Sequence, residues 1–378
     1  MAEQKHILII CGEASGELHA TGLIQAINKI DPQIKFSGVG GKLLRQAGAE
    51  IYRDIKDLAV FGFFDALKKL PQFLSLQELI LEKIHEEKPT AIIFVDFSGF
   101  NLRLAKKINR AIPTIYYISP QVWASRTGRV KTIKRFISKM IVLFEFEKEF
   151  YLNHGINVDF VGHPLLDIVK PSMQKDEFLR GFGLSESKTT IALLPGSRRQ
   201  EIENVLPIML ESARLINKNM PNAQFVIAKS EQVEFDVYNN IISGPNINLK
   251  IVEGKTYDCL NSADFCLVCS GTATLETAIM EKPFAVIYKM SLLNYLLYRP
   301  QVRLPYIGMV NIVAGKMLVP EFIQFQANPR KIADFALKTL HNPSRIEQIK
   351  NGLVQVKASL GEPGAASRAA KIIVDFLN

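Results

Sequence analysis

The sequence is poor in cysteine. Four thiols in 378 residues make no disulfide framework. With no export signal either, a reducing cytoplasm is the expected compartment. No signal peptide fits the N-terminus, where Glu3 and Lys5 precede a short apolar run that stops at Gly12. Long apolar runs are also missing. The longest, such as Ile7–Cys11 and Ala91–Val95, fall far short of the roughly 20 residues that cross a bilayer, which excludes an integral membrane protein. Several motifs are absent: the Gly-x-x-x-x-Gly-Lys-Ser/Thr phosphate loop, the Gly-x-Ser-x-Gly elbow, His-Glu-x-x-His and any Asp-x-Asp. Gly38-Val-Gly-Gly-Lys42 is glycine-rich, but Leu43 stands where a dinucleotide fingerprint needs its last glycine. Cys266-Leu-Val-Cys269 lies inside an apolar run and has no second pair or histidines beside it, so it reads as packed core rather than metal ligation.

What is present is ordinary globular material, 48% hydrophobic and 22% charged. The excess of 46 basic over 37 acidic residues, +9, favours anionic partners. Short β-rich runs alternate with amphipathic stretches. His6–Cys11, Lys35–Gly38, Ala91–Val95, Thr114–Ile118, Lys139–Leu143 and Val158–Val161 read as strands. Leu18–Ile30, Phe73–Glu87 and Asn101–Arg110 read as helices. Near-continuous apolar strands separated by helices imply a parallel sheet covered on both faces. The pattern halts near Gly162-His-Pro164 and restarts at Thr190–Leu194. It continues through Gln224–Ala228, Leu249–Val252, Phe265–Cys269 and Phe284–Ile287, with the polar Asp167–Lys188 read as a linker. The expectation is α/β: two doubly wound Rossmann-like domains, 1–167 and 168–345, facing each other across a cleft, with a C-terminal helix, 364–378, packing back on the first. Ligands in such folds bind at the carboxyl ends of the strands.

Four strand-to-helix junctions carry the chemistry. Leu194-Pro-Gly-Ser-Arg-Arg-Gln-Glu201 combines a turn glycine, Gly196, with a capping-box pair, Ser197 and Gln200. Arg198 and Arg199 stand where a helix N-terminus already favours anions, so this site can grip phosphate without a metal. Cys269-Ser-Gly-Thr-Ala-Thr-Leu-Glu276 offers hydroxyls and close backbone approach at Ser270, Gly271, Thr272, Ala273 and Thr274. Glu276 can accept ribose hydroxyls. Two such junctions in one domain suit a nucleotide diphosphate. In the first domain Gly12-Glu-Ala-Ser-Gly-Glu17 follows the first strand, so Ser15, Gly16 and Glu17 line the cleft. Asp96, ending the strand Ala91–Val95, is placed either to take a proton or to cap a helix from Asn101. His19 and His163 read as structural.

Acid is missing from two long stretches. Phe97–Phe144 has no Asp or Glu but ten Lys or Arg, from Arg103 to Lys139. Lys282–Pro320 mixes Lys289, Arg299 and Arg303 with Tyr288, Leu292, Leu293, Tyr295, Leu296, Leu297 and Tyr298. Val60-Phe-Gly-Phe-Phe64 and Leu70-Pro-Gln-Phe-Leu74 add apolar bulk beside Lys68 and Lys69. This mixture suits an anionic membrane surface or an acylated anionic substrate, or else core helices with solvated basic faces. No nucleic-acid-binding module occurs.

Together these motifs resemble the lipid-A-disaccharide synthase family, family-19 glycosyltransferases of the two-domain GT-B type. The matching elements are Gly12–Gly16, Asp96 with Phe100-Asn101, Ser119-Pro-Gln-Val-Trp-Ala124, Gly162-His163, Leu194–Arg198, Ser270–Glu276, and Pro305–Gly315 running into Leu318-Val-Pro-Glu321. They follow family order across most of the chain. Glu17, Ser98, Gly99 and Ser125 depart from the usual pattern, all on the acceptor side. The resemblance implies an inverting, metal-independent enzyme of lipid A biosynthesis without a cofactor. Its donor would be UDP-2,3-diacylglucosamine and its acceptor 2,3-diacylglucosamine 1-phosphate (lipid X). Its products would be a β-1,6-linked tetraacyl disaccharide 1-phosphate and UDP. It further implies Asp96 as base, Asn311 at the nucleotide pocket and Trp123 in an acceptor-side motif. It places the enzyme in the cytoplasm at the inner membrane of a Gram-negative-type bacterium, with a homodimer left open. Rival readings are an undecaprenyl-linked GlcNAc transferase, a UDP-sugar 2-epimerase, or a binding module without turnover.

Overall fold

In the computed structural model, residues 4–58, 70–242, 247–298 and 304–378 are described. They fall into two units. One takes the residues up to Leu166 together with Leu360–Asn378, and the other takes those between Asp167 and Ser359.

The apolar runs of the first unit become parallel strands. These are β1 (His6–Cys11), β2 (Lys35–Gly40), β3 (Glu50–Asp54), β4 (Ala91–Val95), β5 (Thr114–Tyr117), β6 (Lys139–Val142) and β7 (Asp159–Phe160). Their order is β3-β2-β1-β4-β5-β6-β7. The chain winds one way from β1 and then crosses back to β4, so the sheet reverses direction between these two strands. Pairing of Cys11 with Val95 sets their carboxyl ends side by side. Helix Ala14–Ile30 buries Ala20, Leu23, Ile24 and Ile27 beneath the sheet. The C-terminal helix Ala365–Leu377 packs on it, with the Ala366 methyl group against Gly22. Arg368 fixes that helix by donating from Nε and Nη2 to the carbonyl of Val161 at 2.9 and 2.7 Å.

The second unit repeats the plan with β8 (Thr189–Leu194), β9 (Ala223–Lys229), β10 (Leu249–Glu253), β11 (Phe265–Cys269), β12 (Phe284–Tyr288) and β13 (Glu321–Ile323), ordered β10-β9-β8-β11-β12-β13. Its reversal lies between β8 and β11. Helix Arg199–Asn219 closes one face by placing Ile202, Val205, Leu206 and Met209 against Leu193, Phe225 and Phe265. Cys266 and Cys269 are buried free thiols, as a packed strand requires, and burial pushes Cys266 up to about 12.

Some expectations change. Asp167–Lys188 is no loose linker. Helix Lys175–Gly181 buries Phe178 and Leu179, and Asp258 accepts from the backbone N–H groups of Ser172 and Met173 at 2.7 and 3.0 Å. Helix Pro343–Ser359 belongs to the second unit, which therefore runs past residue 345. The helix expected from Asn101 begins at Ser98, and Asp96 precedes it without serving as its cap. Residues 60–64, Lys68, Lys69, Arg299 and Arg303 lie outside the described residues.

Candidate active site

At the carboxyl edge of the first sheet, the turns after β1 and β4 interlock. Asp96 and Phe97 both take the left-handed conformation, with φ of 52° and 47°. Such a backbone costs on the order of 1–3 kcal/mol per residue and persists only when its surroundings enforce it. Here they do. The carbonyl of Asp96 accepts from Asn101 Nδ2 at 2.8 Å and from the Tyr116 hydroxyl at 2.5 Å. Phe97 stacks on Phe100, ring centroids 5.0 Å apart, and covers Gly12 so closely that a Cβ there would lie 2.3 Å from its ring. Gly16 stands beside Asp96: a Cβ on Gly16 would be 3.5 Å from the Asp96 Cβ. Burial and the Asp96 charge together hold the Tyr116 phenol far above its ordinary range, so it remains a donor. Ser15 is half-buried in the same turn. Glu17 is buried, and its Oε1 accepts from the backbone N–H groups of Gly41, Leu43 and Leu44 at 2.8, 2.8 and 3.1 Å. It therefore anchors the short helix Lys42–Gln46 rather than lining a surface.

The next turn along the edge follows β5. Ile118 has φ of 68°, an outlier for a β-branched residue. It opens the Ser119–Ala124 loop. Ser119 Oγ and Trp123 Nε1 both donate to Glu147 Oε1, at 2.6 and 3.0 Å. Sequence reasoning missed Glu147. The available signal was position: it lies just beyond a 48-residue stretch without any acid, Phe97–Phe144. The T-shaped contact of Trp123 with Phe146 begins an aromatic series that runs through Phe144 to His163 and His19. Burial lowers His19 to about 4 and His163 to about 3, so both are neutral near pH 7. His163 Nδ1 accepts from the Leu165 N–H at 3.2 Å.

In the second unit β8 and β11 pair in parallel, Leu194 opposite Val268. The Pro195–Arg198 and Ser270–Thr272 turns therefore emerge as neighbours. Gly196 has φ of 115°, and a Cβ on it would meet Glu201 Oε2 at 2.5 Å. The cap expected from Ser197 and Gln200 is made differently: Glu201 Oε2 accepts from the Ser197 N–H at 3.1 Å, and Arg198 occupies the N-cap position of helix Arg199–Asn219. The Arg198 side chain is exposed, with Nη1 3.5 Å from Glu201 Oε1. Arg199 is exposed and pairs with Glu203 at 2.8 Å.

Helix Ala273–Ile279 follows the second turn. Thr274 Oγ1 donates to the Gly271 carbonyl at 2.8 Å, while Thr272 precedes the helix. Tyr257 donates its hydroxyl to Glu276 Oε1 at 3.0 Å, and burial raises the Glu276 carboxyl above the usual range. Ser270 Oγ donates to the Ile307 carbonyl at 3.3 Å, which ties this turn to the 305–315 segment. Asn311 is completely buried. Its Nδ2 donates to Val319 O and Glu321 Oε1, and its Oδ1 accepts from Leu318 and Val319. All its hydrogen-bonding positions are used within the protein, so Asn311 holds the segment together and does not reach outward. Glu321, legible in sequence only as the end of a family motif, accepts from the N–H groups of Ile307 and Gly308, both at 2.9 Å.

Comparison with known proteins matches the chain to one family. The family model described as lipid-A-disaccharide synthetase matches residues 7–374. The chain is 43% identical to the lipid-A-disaccharide synthase of Syntrophus aciditrophicus, covering 99% of this chain and 98% of that protein. It is 38% identical to the synthase of Geobacter sulfurreducens, covering 98% and 97%. Among solved structures, UDP-GlcNAc 2-epimerase from Neisseria meningitidis bound to UDP-GlcNAc superposes with a TM-score of 0.66 at 14% identity, covering 98% of this chain and 99% of that one. The calicheamicin glycosyltransferase CalG4 gives 0.62 at 15%, covering 99% and 98%. At such identities these structures speak for the GT-B-like fold alone, whereas the full-length relatives speak for the activity. The chain belongs to the lipid-A-disaccharide synthase family, the glycosyltransferases of lipid A biosynthesis.

Proposed function

We propose that the enzyme divides the family's reaction between the two sheet edges. Asp96 takes the proton of the acceptor 6-hydroxyl of lipid X as that oxygen bonds to the donor's anomeric carbon. The bond from that carbon to UDP breaks, and the configuration inverts. The departing diphosphate carries added negative charge. Arg198 and the N-terminus of helix Arg199–Asn219, which follows Gly196, meet it, with Ser270–Thr274 alongside and Glu276 accepting from the ribose. Preorganised donors of this kind stabilise a leaving oxyanion without a metal. The observation that carries the reading is the Leu194–Val268 pairing, which brings the arginine turn and the Ser/Thr turn to one edge. The Neisseria epimerase, solved with UDP-GlcNAc, supports a UDP-sugar as a ligand for this fold.

The test is incubation with UDP-2,3-diacylglucosamine and lipid X, followed by mass spectrometry. A tetraacyl disaccharide 1-phosphate with equimolar UDP is expected. Turnover of non-acylated UDP-GlcNAc alone, to an epimer or to a polyprenyl-linked product, would replace this reading with one of its rivals.

Membrane docking is part of the proposal. No helix among the described residues is long and apolar enough to cross a membrane. Helix Leu292–Tyr298 nevertheless exposes Leu292, Leu293, Leu296 and Leu297, and helix Leu70–Glu87 exposes Leu70 and Leu74. Arg103, Lys106 and Lys107 are exposed on helix Ser98–Ile108. Exposed apolar and basic side chains each favour an anionic leaflet, from which two-chain acylated substrates would be drawn. Binding to anionic liposomes at low salt that weakens as salt rises is expected. Absence of binding at low salt removes the claim.

A further inference from the structure

Glu147 is a charged group where charge is expensive. It is 3% exposed, at the third position of helix Glu145–Asn153, and burial pushes its carboxyl upward against the pull of its hydrogen bonds. Four donors converge on it. Oε1 accepts from Ser119 Oγ at 2.6 Å and Trp123 Nε1 at 3.0 Å, and Oε2 accepts from the N–H groups of Leu143 and Phe144 at 3.2 and 3.3 Å. Capping alone would need only the backbone pair. The other pair joins the end of β6 to the loop after β5, which begins at the strained Ile118. Tyr151, one turn further on the same helix, donates to the Pro120 carbonyl at 3.1 Å and adds a second strut.

With its indole N–H committed to Glu147, Trp123 can present only its ring. That ring is half-buried against Phe146, at 4.9 Å between centroids. A fixed apolar plate is the right surface for the hydrocarbon of an acylated sugar.

We propose that Glu147 is the positioning residue that sets the Ser119–Ala124 loop and holds the Trp123 ring as a wall of the acylated-acceptor site. The inference rests on the proposed function above, in which this loop serves the acceptor. Because all four partners are donors, Glu147→Gln must turn its NH2 toward one pair while keeping its volume.

The experiment is steady-state kinetics with each substrate varied, alongside fluorescence. Trp123 is the single tryptophan in the chain, so its emission reports this loop alone. Loss of a charge-assisted hydrogen bond predicts that Glu147→Gln raises KM for lipid X about tenfold. KM for UDP-2,3-diacylglucosamine stays unchanged, and acrylamide quenching of Trp123 increases. Ser119→Ala removes one donor and moves the same readouts the same way by a smaller factor. It carries the comparison should Glu147→Gln not yield folded protein. A purely structural role would move both KM values together, and that outcome overturns the inference. If Trp123→Ala raises KM for lipid X but neither Glu147→Gln nor Ser119→Ala does, the inference alone falls. If Trp123→Ala leaves that KM unchanged, the acceptor role of the loop falls with it.

Discussion

The amide of Asn101 reaches back across its own helix turn to the carbonyl of Asp96, Nδ2 to O at 2.8 Å. Asn101 is fully buried, and Tyr116 approaches the same carbonyl from β5. The backbone oxygen of Asp96 is thus held from two elements while its Cβ stands beside Gly16. A left-handed aspartate followed by a left-handed phenylalanine is not a conformation the chain would keep unaided.

Asp96→Asn should abolish disaccharide formation while UDP still binds, because an amide cannot accept the hydroxyl proton. Tyr116→Phe keeps the carboxylate but removes one of its two backbone anchors. Its kcat should fall on the order of tenfold, the scale of one lost hydrogen bond in a buried site, with UDP affinity unchanged. Wild-type turnover in Asp96→Asn would reject the base assignment. Calorimetric titration with UDP supplies the binding half of the comparison.

Arg198 and Arg199 are adjacent in sequence and unlike in surroundings. Arg198 sits at the mouth of the β8 turn beside Glu201, while Arg199 is 70% exposed and paired with Glu203. Arg198→Ala should cost on the order of a hundredfold in rate, as expected for loss of one preorganised oxyanion donor. Arg199→Ala should stay within about threefold, the worth of an exposed i,i+4 pair. Excess EDTA should leave wild-type activity intact. Activity lost on chelation and restored by magnesium would show that arginine and backbone donors do not suffice.

Gly12→Ala tests the packing of the two turns. The added methyl group would lie 2.3 Å from the Phe97 ring, and Phe97 is itself pinned on Phe100. Overpacking of this kind costs about 1–3 kcal/mol. A lowered melting temperature with a larger fall in kcat is expected, since relief of the clash displaces Phe97 and its neighbour Asp96. Gly99→Ala, whose Cβ would meet nothing within 4 Å, is the control.

The sheet strands were legible wherever both faces are buried, because an unbroken apolar run such as Ala91–Val95 or Phe265–Cys269 has few other uses. β3 and β13 were not. Glu50–Asp54 is a polar edge strand, and Glu321–Ile323 is three residues long. The Gly12, Gly196 and Ser270 turns were readable because glycine and hydroxyl residues at strand ends carry a local signal. Asn311 and Glu321 were readable only as parts of the family motif, without the roles they play, and Glu147 only by its place after the acid-free stretch. Each acts by accepting or donating across chain segments that only folding brings together, and a buried carboxylate looks in sequence like any surface glutamate. Glu17 shows the reverse error, since a residue inside a motif proved to be committed to Gly41–Leu44.

His19 and His163 meet edge to face at 5.9 Å, both buried. Burial depresses them from 6.5 to about 4 and about 3. In the unfolded chain each takes a proton near pH 6.5; in the folded chain each resists. The unfolded state therefore binds more protons across this window. Stability is complete above about pH 6.5 and is lost as pH falls toward 4, by up to about 2 kcal/mol per histidine at pH 5. His163→Asn keeps an acceptor for the Leu165 N–H and removes one titration. Urea unfolding at pH 7.5 and pH 5 should show a smaller difference in midpoint for this variant than for the wild type. An equal difference would mean that His163 is already protonated in the folded enzyme at pH 5, and that the hydrogen bond to Leu165 is broken there.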